Sequence, residues 1–335
     1  MNTPLISIII PSYNRADLIN ETLQSVVEQT SPNWQCLVVD DGSNDGTQGT
    51  ISAFAKADPR IKFLQRTEDY ASGGNGARQM GLDHIQTPWV MFLDSDDVLD
   101  RSCIKNRLLE IDESLDMLVF HTATFKQQVG DHPIYWNLLK EGETNTDYIR
   151  RFIHQDMPWH TTGVLWSTSF LQKIGGWNQE LTAWQDWELH LRALSFQPKI
   201  KAHKATADNY YRLDVKDSIA SKKQSLAYSR AVCSAMHAVE LKVLETLPSI
   251  EKDFRYLVYR NLIGNPIQWK RTDVSKQIIA LGIPFNTVTK QRFVFAFWRA
   301  RFYEITTVKR LLKHLLKISY YRRLYPRTTF LKQQF

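Results

Sequence analysis

Short apolar runs alternate with helical spacing through the first hundred residues, and the runs end in polar turns. Residues 5–10 are apolar and β-branched, and Pro11 closes them. Residues 34–39, 61–64 and 89–93 repeat the pattern. Between them, Leu18, Ile19, Leu23, Val26 and Val27 fall at near-helical spacing, and a second helix is expected through Ile51 and Phe54. Strands alternating with helices predict an α/β domain around a mostly parallel sheet. Continuous apolar runs fit strands buried on both faces. Ligands of such sheets bind beyond the carboxyl ends of the strands. Residues 11–14, 40–43 and 94–97 all follow predicted strands, so their polar groups are expected at one edge.

Beyond residue 97 the pattern changes. A helix is expected over 98–111, with strands over 117–122 and 163–167. A helix from Trp184 turns Trp187, Leu191 and Leu194 inward, and 209–213 is extended. From Ser221 onward helical patterns dominate. The expected division is a domain over 1–220 and a helical region over 221–335, with no low-complexity linker and no internal repeat.

The chain of 335 residues is 43% hydrophobic and 23% charged, as a folded protein with a sizeable core requires. Cys36, Cys103 and Cys233 form no metal or disulfide pattern and fit a reducing, cytoplasmic setting. The start lacks the basic region of a secretory signal, and no apolar run is long enough to span a bilayer. The net charge of +7 is concentrated: residues 290–335 hold 12 Lys or Arg and one acid, Glu304. The rest holds 30 basic and 34 acidic residues. In the tail, Val308, Leu311, Leu312, Leu315 and Leu316 recur at helical spacing beside Lys309, Lys313 and Lys317. Such a basic amphipathic helix either packs on the protein or attaches to an anionic membrane surface. No nucleic-acid recognition motif accompanies it, so nucleic acid is not an expected partner.

Three carboxylates crowd the turn "DSDD": Asp94, Asp96 and Asp97. Their repulsion needs solvent or a cation, and magnesium sites combine such carboxylates with substrate phosphates. Asp96 or Asp97 also suits a helix N-cap. Asp40 and Asp41 before Gly42 suit a turn, or hydrogen bonds from a base or sugar hydroxyl. "GGNGAR" is a glycine-containing turn whose Arg78 carries planar donors suited to phosphate. Asp186 is either a first-turn helix residue or a general base. His160 and His203 are lone histidines, expected to be structural or surface residues rather than metal ligands. Tyr211 and Arg212 suit a phosphate clamp or an ordinary strand edge.

In order, "SIIIPSYNR", "VVDDGSNDGT", "GGNGARQMGL", "FLDSDD", "GGWNQE", "QDWELHLR" and "YYRLDVKDS" cover about residues 8–218. Together they resemble glycosyltransferase family 2, inverting enzymes of the GT-A fold. The resemblance implies a nucleoside-diphosphate sugar donor, expected to be a UDP-sugar, with Mn²⁺ or Mg²⁺. It implies a hydroxyl acceptor on a glycan or lipid-linked glycan, in surface polysaccharide synthesis, at the cytoplasmic face of a membrane. Pro11, Ser12, Tyr13 and Arg15 would line the nucleotide pocket. Asp40 or, preferably, Asp41 would read the base, and Arg78 would lie near the diphosphate. Asp94 and Asp96 match the metal-associated acidic motif, and Ser95 between them would join the donor-binding set. Asp96 is the preferred metal ligand, Asp94 lies nearer the donor and is a second candidate ligand, and Asp97 holds the loop. Asp186 falls on the base. Trp177, Gln185, Trp187, Tyr211 and Arg212 fall in the acceptor or diphosphate region. One departure is Gln185, where the family commonly has Glu. It raises the alternative of a non-catalytic nucleotide-sugar or glycan-binding protein, against which the retained Asp186 argues.

Overall fold

The computed structural model describes residues 5–132, 134–203, 206–215, 224–282 and 284–304. The chain begins β1 (Ile6–Ser12), α1 (Ile19–Val27), β2 (Trp34–Asp40), α2 (Thr47–Ala57), β3 (Ile61–Gln65), α3 (Gly74–Asp83) and β4 (Trp89–Phe92). There follow β5 (Val98–Leu99), α4 (Cys103–Glu110), β6 (Met117–Phe120), β7 (Thr122–Phe125) and α5 (Asn145–Ile153). Next come β8 (Val164–Ser167), α6 (Thr168–Lys173), α7 (Gln185–Ser195), β9 (Ile200–His203) and β10 (Asn209–Arg212). The helices α8 (Leu226–Thr246), α9 (Glu251–Tyr259), α10 (Asn265–Gln268), α11 (Thr272–Leu281) and α12 (Lys290–Glu304) complete the described chain.

Seven strands form one sheet in the order β3-β2-β1-β4-β8-β6-β9. The first four are parallel, and β8 runs antiparallel to both β4 and β6. A smaller sheet has the order β5-β10-β7. The sheet is therefore mostly parallel and mixed, as the sequence predicts.

Successive side chains of β1 leave opposite faces, as strand pleating requires. Ile6, Ile8 and Ile10 join Leu23 and Val26 of α1 and Ile104 of α4. Ile9 joins the other face, with Leu82 of α3. There Gly81 lets α3 approach closely, since an added Cβ would lie 2.5 Å from Ile9 Cγ2. That contact fixes the helix that carries Arg78.

Two local expectations change. Pro11 lies inside β1 instead of ending it. Pairing with β4 stops at Ile9↔Phe92, so the missing N–H of Pro11 falls beyond that ladder and costs no bond. The helix expected from residue 98 begins at Cys103. Val98 and Leu99 pair instead with Tyr210 and Asn209. Asp100 Oδ1 then accepts from the Ser102 N–H and hydroxyl, which turns the chain.

The apolar cluster on the α3 face continues through Phe152, Trp159 and Trp187 to Val232, Val239, Phe254, Phe293 and Phe297. The C-terminal helices thus share a core with the sheet. The expected boundary near 220 and the amphipathic stretch 305–335 lie outside the described residues. Among the described residues no helix is long and apolar enough to cross a membrane.

Candidate active site

The carboxyl ends of β1, β2 and β4 meet at one edge, and the polar turns that follow them meet there too. After β1, Asn14 takes a left-handed conformation at φ 49° and donates its N–H to Ser43 Oγ at 2.9 Å. Arg15 donates its N–H to Thr47 Oγ1 at 2.8 Å. The β1 and β2 turns are therefore tied together. Pro11 and Ser12 are buried, and Ser12 Oγ has no hydrogen-bond partner among the described residues. Tyr13 is 55% exposed at the rim.

Asp40 is fully buried and closes its own turn. Its Oδ2 accepts from the N–H groups of Gly42 and Ser43 and from Gln48 Nε2, at 2.8–3.0 Å, and its Oδ1 accepts from the Ser43 hydroxyl. Asp41 reaches the loop before α3. It receives Arg66 Nε on one oxygen and the Gly73 N–H, at 2.7 Å, on the other. Arg66 also donates to the carbonyls of Thr67 and Tyr70, so it joins the β3 end to the loop before α3.

The acidic turn after β4 separates its carboxylates. Asp94 accepts from Arg78 Nη2 at 2.5 Å and keeps 30% of its side-chain surface open. Burial opposes its ionisation, yet Arg78, His160 and Arg15 hold its carboxyl below the usual range. Asp96 lies 3.7 Å from Arg15 Nε. Burial and the Asp94 charge push it up to about 6, against the pull of Arg15. Asp97 is fully buried, and its oxygens accept from the Arg212 N–H at 2.9 Å and the Thr162 hydroxyl at 3.3 Å. Burial, then the charges of Asp96 and Asp94, push its carboxyl well above the usual range. Ser95 between them is buried.

Because β8 runs antiparallel to β4, the residues before β8 arrive at this same edge. Thr161 Oγ1 lies 3.5 Å from Asp186 Oδ2, while Thr162 holds Asp97. His160 Nδ1 accepts from the Thr162 N–H. One oxygen from each of Asp94 and Asp97 and one ring nitrogen of His160 lie within 4.8 Å of one another. Burial lowers the basicity of His160, opposed by Asp94 and Asp186. Asp186 stands in the first turn of α7, with Oδ1 taken by the Trp187 N–H at 2.8 Å. The preceding Trp184 is left-handed at φ 56°, a conformation uncommon for such a side chain. Gln185 Nε2 donates to the Leu181 carbonyl at 3.1 Å and steadies that turn.

Other sequence-predicted residues act at one remove. Trp177 is 3% exposed and packs edge-on to Phe92, with the Arg78 guanidinium 4.7 Å above its ring. Trp187 is buried and donates Nε1–H to the Phe152 carbonyl at 2.9 Å. Arg212 donates Nε–H to the Asp96 carbonyl and Nη2–H to Glu21, and so clamps the acidic turn. Tyr211 is half-buried against His160, with ring centroids 4.7 Å apart. Burial, then the nearby carboxylates, raise its hydroxyl to about 12.

Sequence reasoning missed Arg66 and the 160–162 segment. Arg66 follows β3 at the same edge, so the rule that selected Asp41 and Asp94 also selects it. His160, Thr161 and Thr162 carry no such signal, because a strand reached from its amino end becomes part of this edge only when it runs antiparallel.

The strand order is that of a GT-A architecture. Residues 7–172 match the glycosyl transferase family 2 model, and the chain belongs to that family. An Escherichia coli relative named UDP-Glc:alpha-D-GlcNAc-diphosphoundecaprenol beta-1,3-glucosyltransferase WfgD is 44% identical over 98 residues. The match covers 29% of this chain and 37% of that relative. The chain thus spans less than half the length of the curated relatives it matches. S. aureus TarS 1–349 in complex with UDP shares the fold at TM-score 0.56 and 19% identity, over 76% of this chain and 71% of that one. Mannosyltransferase PcManGT from Pyrobaculum calidifontis, in complex with GDP-Man and Mn²⁺, gives 0.54 at 16% identity, over 93% and 85%.

Proposed function

We propose that this chain is an inverting glycosyltransferase that moves a hexosyl group from a UDP-sugar to a hydroxyl of a lipid-linked glycan. The observation that carries the reading is the joining of the acidic turn to Asp186 through residues 160–162, at the ligand edge of a parallel sheet. The naming of WfgD as a glucosyltransferase toward a diphosphoundecaprenol acceptor supports the acceptor class. Asp41, Arg15, Tyr13 and the buried Ser12 hydroxyl would receive the nucleotide, and Arg78 would meet the diphosphate.

The residues fit a divalent cation. Asp94 and Asp96 are hard oxygen donors, and the elevation of Asp96 to about 6, from burial and its neighbour's charge, reflects crowding that a cation relieves. Asp96, with Asp94, would hold Mn²⁺ or Mg²⁺, which when bound offsets charge on the departing diphosphate. Asp97 is committed to Arg212 and Thr162 and keeps the turn in shape.

In the reaction, Asp186 takes the proton of the acceptor hydroxyl while that oxygen bonds to the anomeric carbon. The bond from that carbon to the diphosphate oxygen breaks, its electron pair leaves with the nucleotide, and the configuration inverts. Asp186 Oδ1 is occupied by the Trp187 N–H, which leaves Oδ2 as the proton acceptor, oriented by Thr161.

The test is a nucleotide-sugar screen with Mn²⁺ or Mg²⁺, scored for acceptor-dependent nucleotide release. Asp186→Asn should keep donor binding and lower turnover by about 100- to 10,000-fold. Near-normal transfer by Asp186→Asn would remove Asp186 as the base. Donor binding without release in the wild-type protein would favour the binding-protein alternative.

A further inference from the structure

Helix α12 is apolar on two sides. Phe293 and Phe297, one turn apart, are buried against the C-terminal core at 0% and 2% exposure. On the opposite arc Phe295 is 68% and Trp298 62% exposed. Gln291, Arg292 and Arg299 stand at i, i+3 and i+4 spacings from these rings and are exposed as well. Helix geometry therefore gathers two large aromatic rings and two guanidinium groups on one outward arc. Packing of the core accounts for the inner pair and leaves the outer pair unexplained.

The charges around this arc select its occupant. Residues 305–335 carry 8 Lys or Arg and no acid, so folding them over Arg292 and Arg299 would bring like charges together. An anionic lipid surface suits both the arc and the chain that follows it, because its negative potential attracts each cation brought near it. Residues 1–289 hold 30 basic and 34 acidic residues, so the same surface repels the body weakly and attracts this end. Rings beside guanidinium groups also match the interfacial layer of a bilayer, where apolar bodies insert and charged heads stay at the phosphates.

We propose that the outward arc of α12, with Phe295 and Trp298 inserted and Arg292 and Arg299 at the headgroups, docks the protein on an anionic bilayer surface. The proposal deepens the reading of a lipid-linked acceptor, on which its usefulness rests, but its binding test stands apart from transfer. Docking through α12 would hold the site edge at a fixed height over the leaflet that carries the acceptor.

Full-length protein is sedimented with vesicles of phosphatidylcholine alone and of equal parts phosphatidylcholine and phosphatidylglycerol. Binding is expected for the anionic vesicles alone. The double variant Phe295→Ser/Trp298→Ser should lower partitioning about tenfold or more. Arg292→Glu/Arg299→Glu should do the same and flatten the salt dependence. Leu109, 75% exposed on α4, serves as the control, and Leu109→Ser should partition like wild type. Brominated lipid should quench wild-type fluorescence more than that of Trp298→Phe. UDP binding without vesicles reports that each variant is folded, and a failed transferase reading would appear there and in the donor screen. Equal partitioning of the double variant and wild type overturns the proposal, since it assigns attachment to another segment. So does an absence of binding to anionic vesicles, and a self-association that the double variant loses would then assign the arc to a second copy.

Discussion

The two acidic turns at the site solve one problem with opposite means. After β2, Asp40 is buried to hold the turn while Asp41, its side chain 8% exposed, meets Arg66 and the Gly73 N–H; after the next strand but one in the sheet, Asp97 is buried while Asp94 and Asp96 keep 30% and 19% of their side-chain surface open. Asp40 finds its donors within eight residues, on Gly42, Ser43 and Gln48. Asp97 finds them on Thr162 and Arg212, 65 and 115 residues away. The first turn can therefore form as soon as its own strand does. The second takes its shape only when β8 and β10 have docked, so its geometry reports on the completed fold. A run of adjacent aspartates is thus a division of labour, with one carboxylate fixing the backbone so that its neighbours can be presented.

Removing presented and holding carboxylates should have different consequences. Asp41→Ala and Asp96→Ala should each weaken UDP-sugar binding about ten- to a hundredfold, the size of a lost charged hydrogen bond. Asp96→Ala should leave the melting temperature unchanged, while Asp41→Ala, which strands Arg66 and the Gly73 N–H, should lower it. Calorimetric titration in Mn²⁺ checks this, and chelation should abolish the difference between wild type and Asp96→Ala. Unaltered affinity in both variants would break the assignment of roles. The holding pair should divide further. Three N–H donors share one oxygen of Asp40 and the Ser43 hydroxyl meets the other, so an Asn carbonyl keeps those bonds but loses the charge that strengthens them, and Asp40→Asn should cost about 3 kcal/mol of stability. Asp97 meets one N–H and one hydroxyl, and the hydroxyl can accept as well as donate. Asp97→Asn should therefore melt close to wild type. Equal losses in denaturant titrations of the two variants would erase the contrast.

A buried group beneath the site sets a reference for both turns. His190 of α7 is 1% exposed and stacks on Trp166 with centroids 5.8 Å apart. Burial lowers its pKa from 6.5 to about 4, so the folded protein keeps it neutral. Between those values the unfolded chain binds a proton that the folded chain does not. Stability should therefore fall as pH drops from about 6.5 toward about 4, by on the order of 2 kcal/mol at pH 5, and should not depend on this residue above that window. His190→Phe keeps an aromatic stack and removes the titration. Its melting temperature should decline less than that of wild type over the acid range. Parallel curves would mean that His190 carries no part of the acid sensitivity.

How far the sequence disclosed the site follows the same local-versus-distant contrast. Continuous apolar runs and helical spacing were enough to find β1 to β4 and the edge at which Asp41 and Asp94 emerge, because such runs and their turns are local. Trp177 and Trp187 were expected in the acceptor or diphosphate region; both rings are buried, Trp177 under the Arg78 guanidinium and Trp187 with its Nε1–H on the Phe152 carbonyl. His160 looked isolated because its neighbours in space, Asp94 and Asp97, are more than sixty residues away in the chain. Nothing local in "PWHTTG" states that β8 will run against β4, and that direction is what brings the segment to the edge. Helix α4 was expected too early for a related reason: Val98 and Leu99 have a strand partner in β10 that only the fold supplies.

The smallest effect tests the distant tether alone. Thr162→Val keeps the shape of the side chain and removes the hydroxyl that meets Asp97 at 3.3 Å. At that length the bond contributes about 0.5–1.5 kcal/mol. Its loss leaves the Arg212 N–H on the other oxygen, so the fold should survive with a slightly lower melting temperature. The acidic turn, however, would lose the link that sets it relative to the 160–162 segment and, through Thr161, to Asp186. Turnover should therefore fall more than nucleotide affinity. A Ser at the same position restores the hydroxyl and should recover most of the rate. If Val and Ser variants turned over alike, the two halves of the site would be held in register by packing of β8 against β4, and the distant hydrogen bond would be a consequence of that packing instead of its guide.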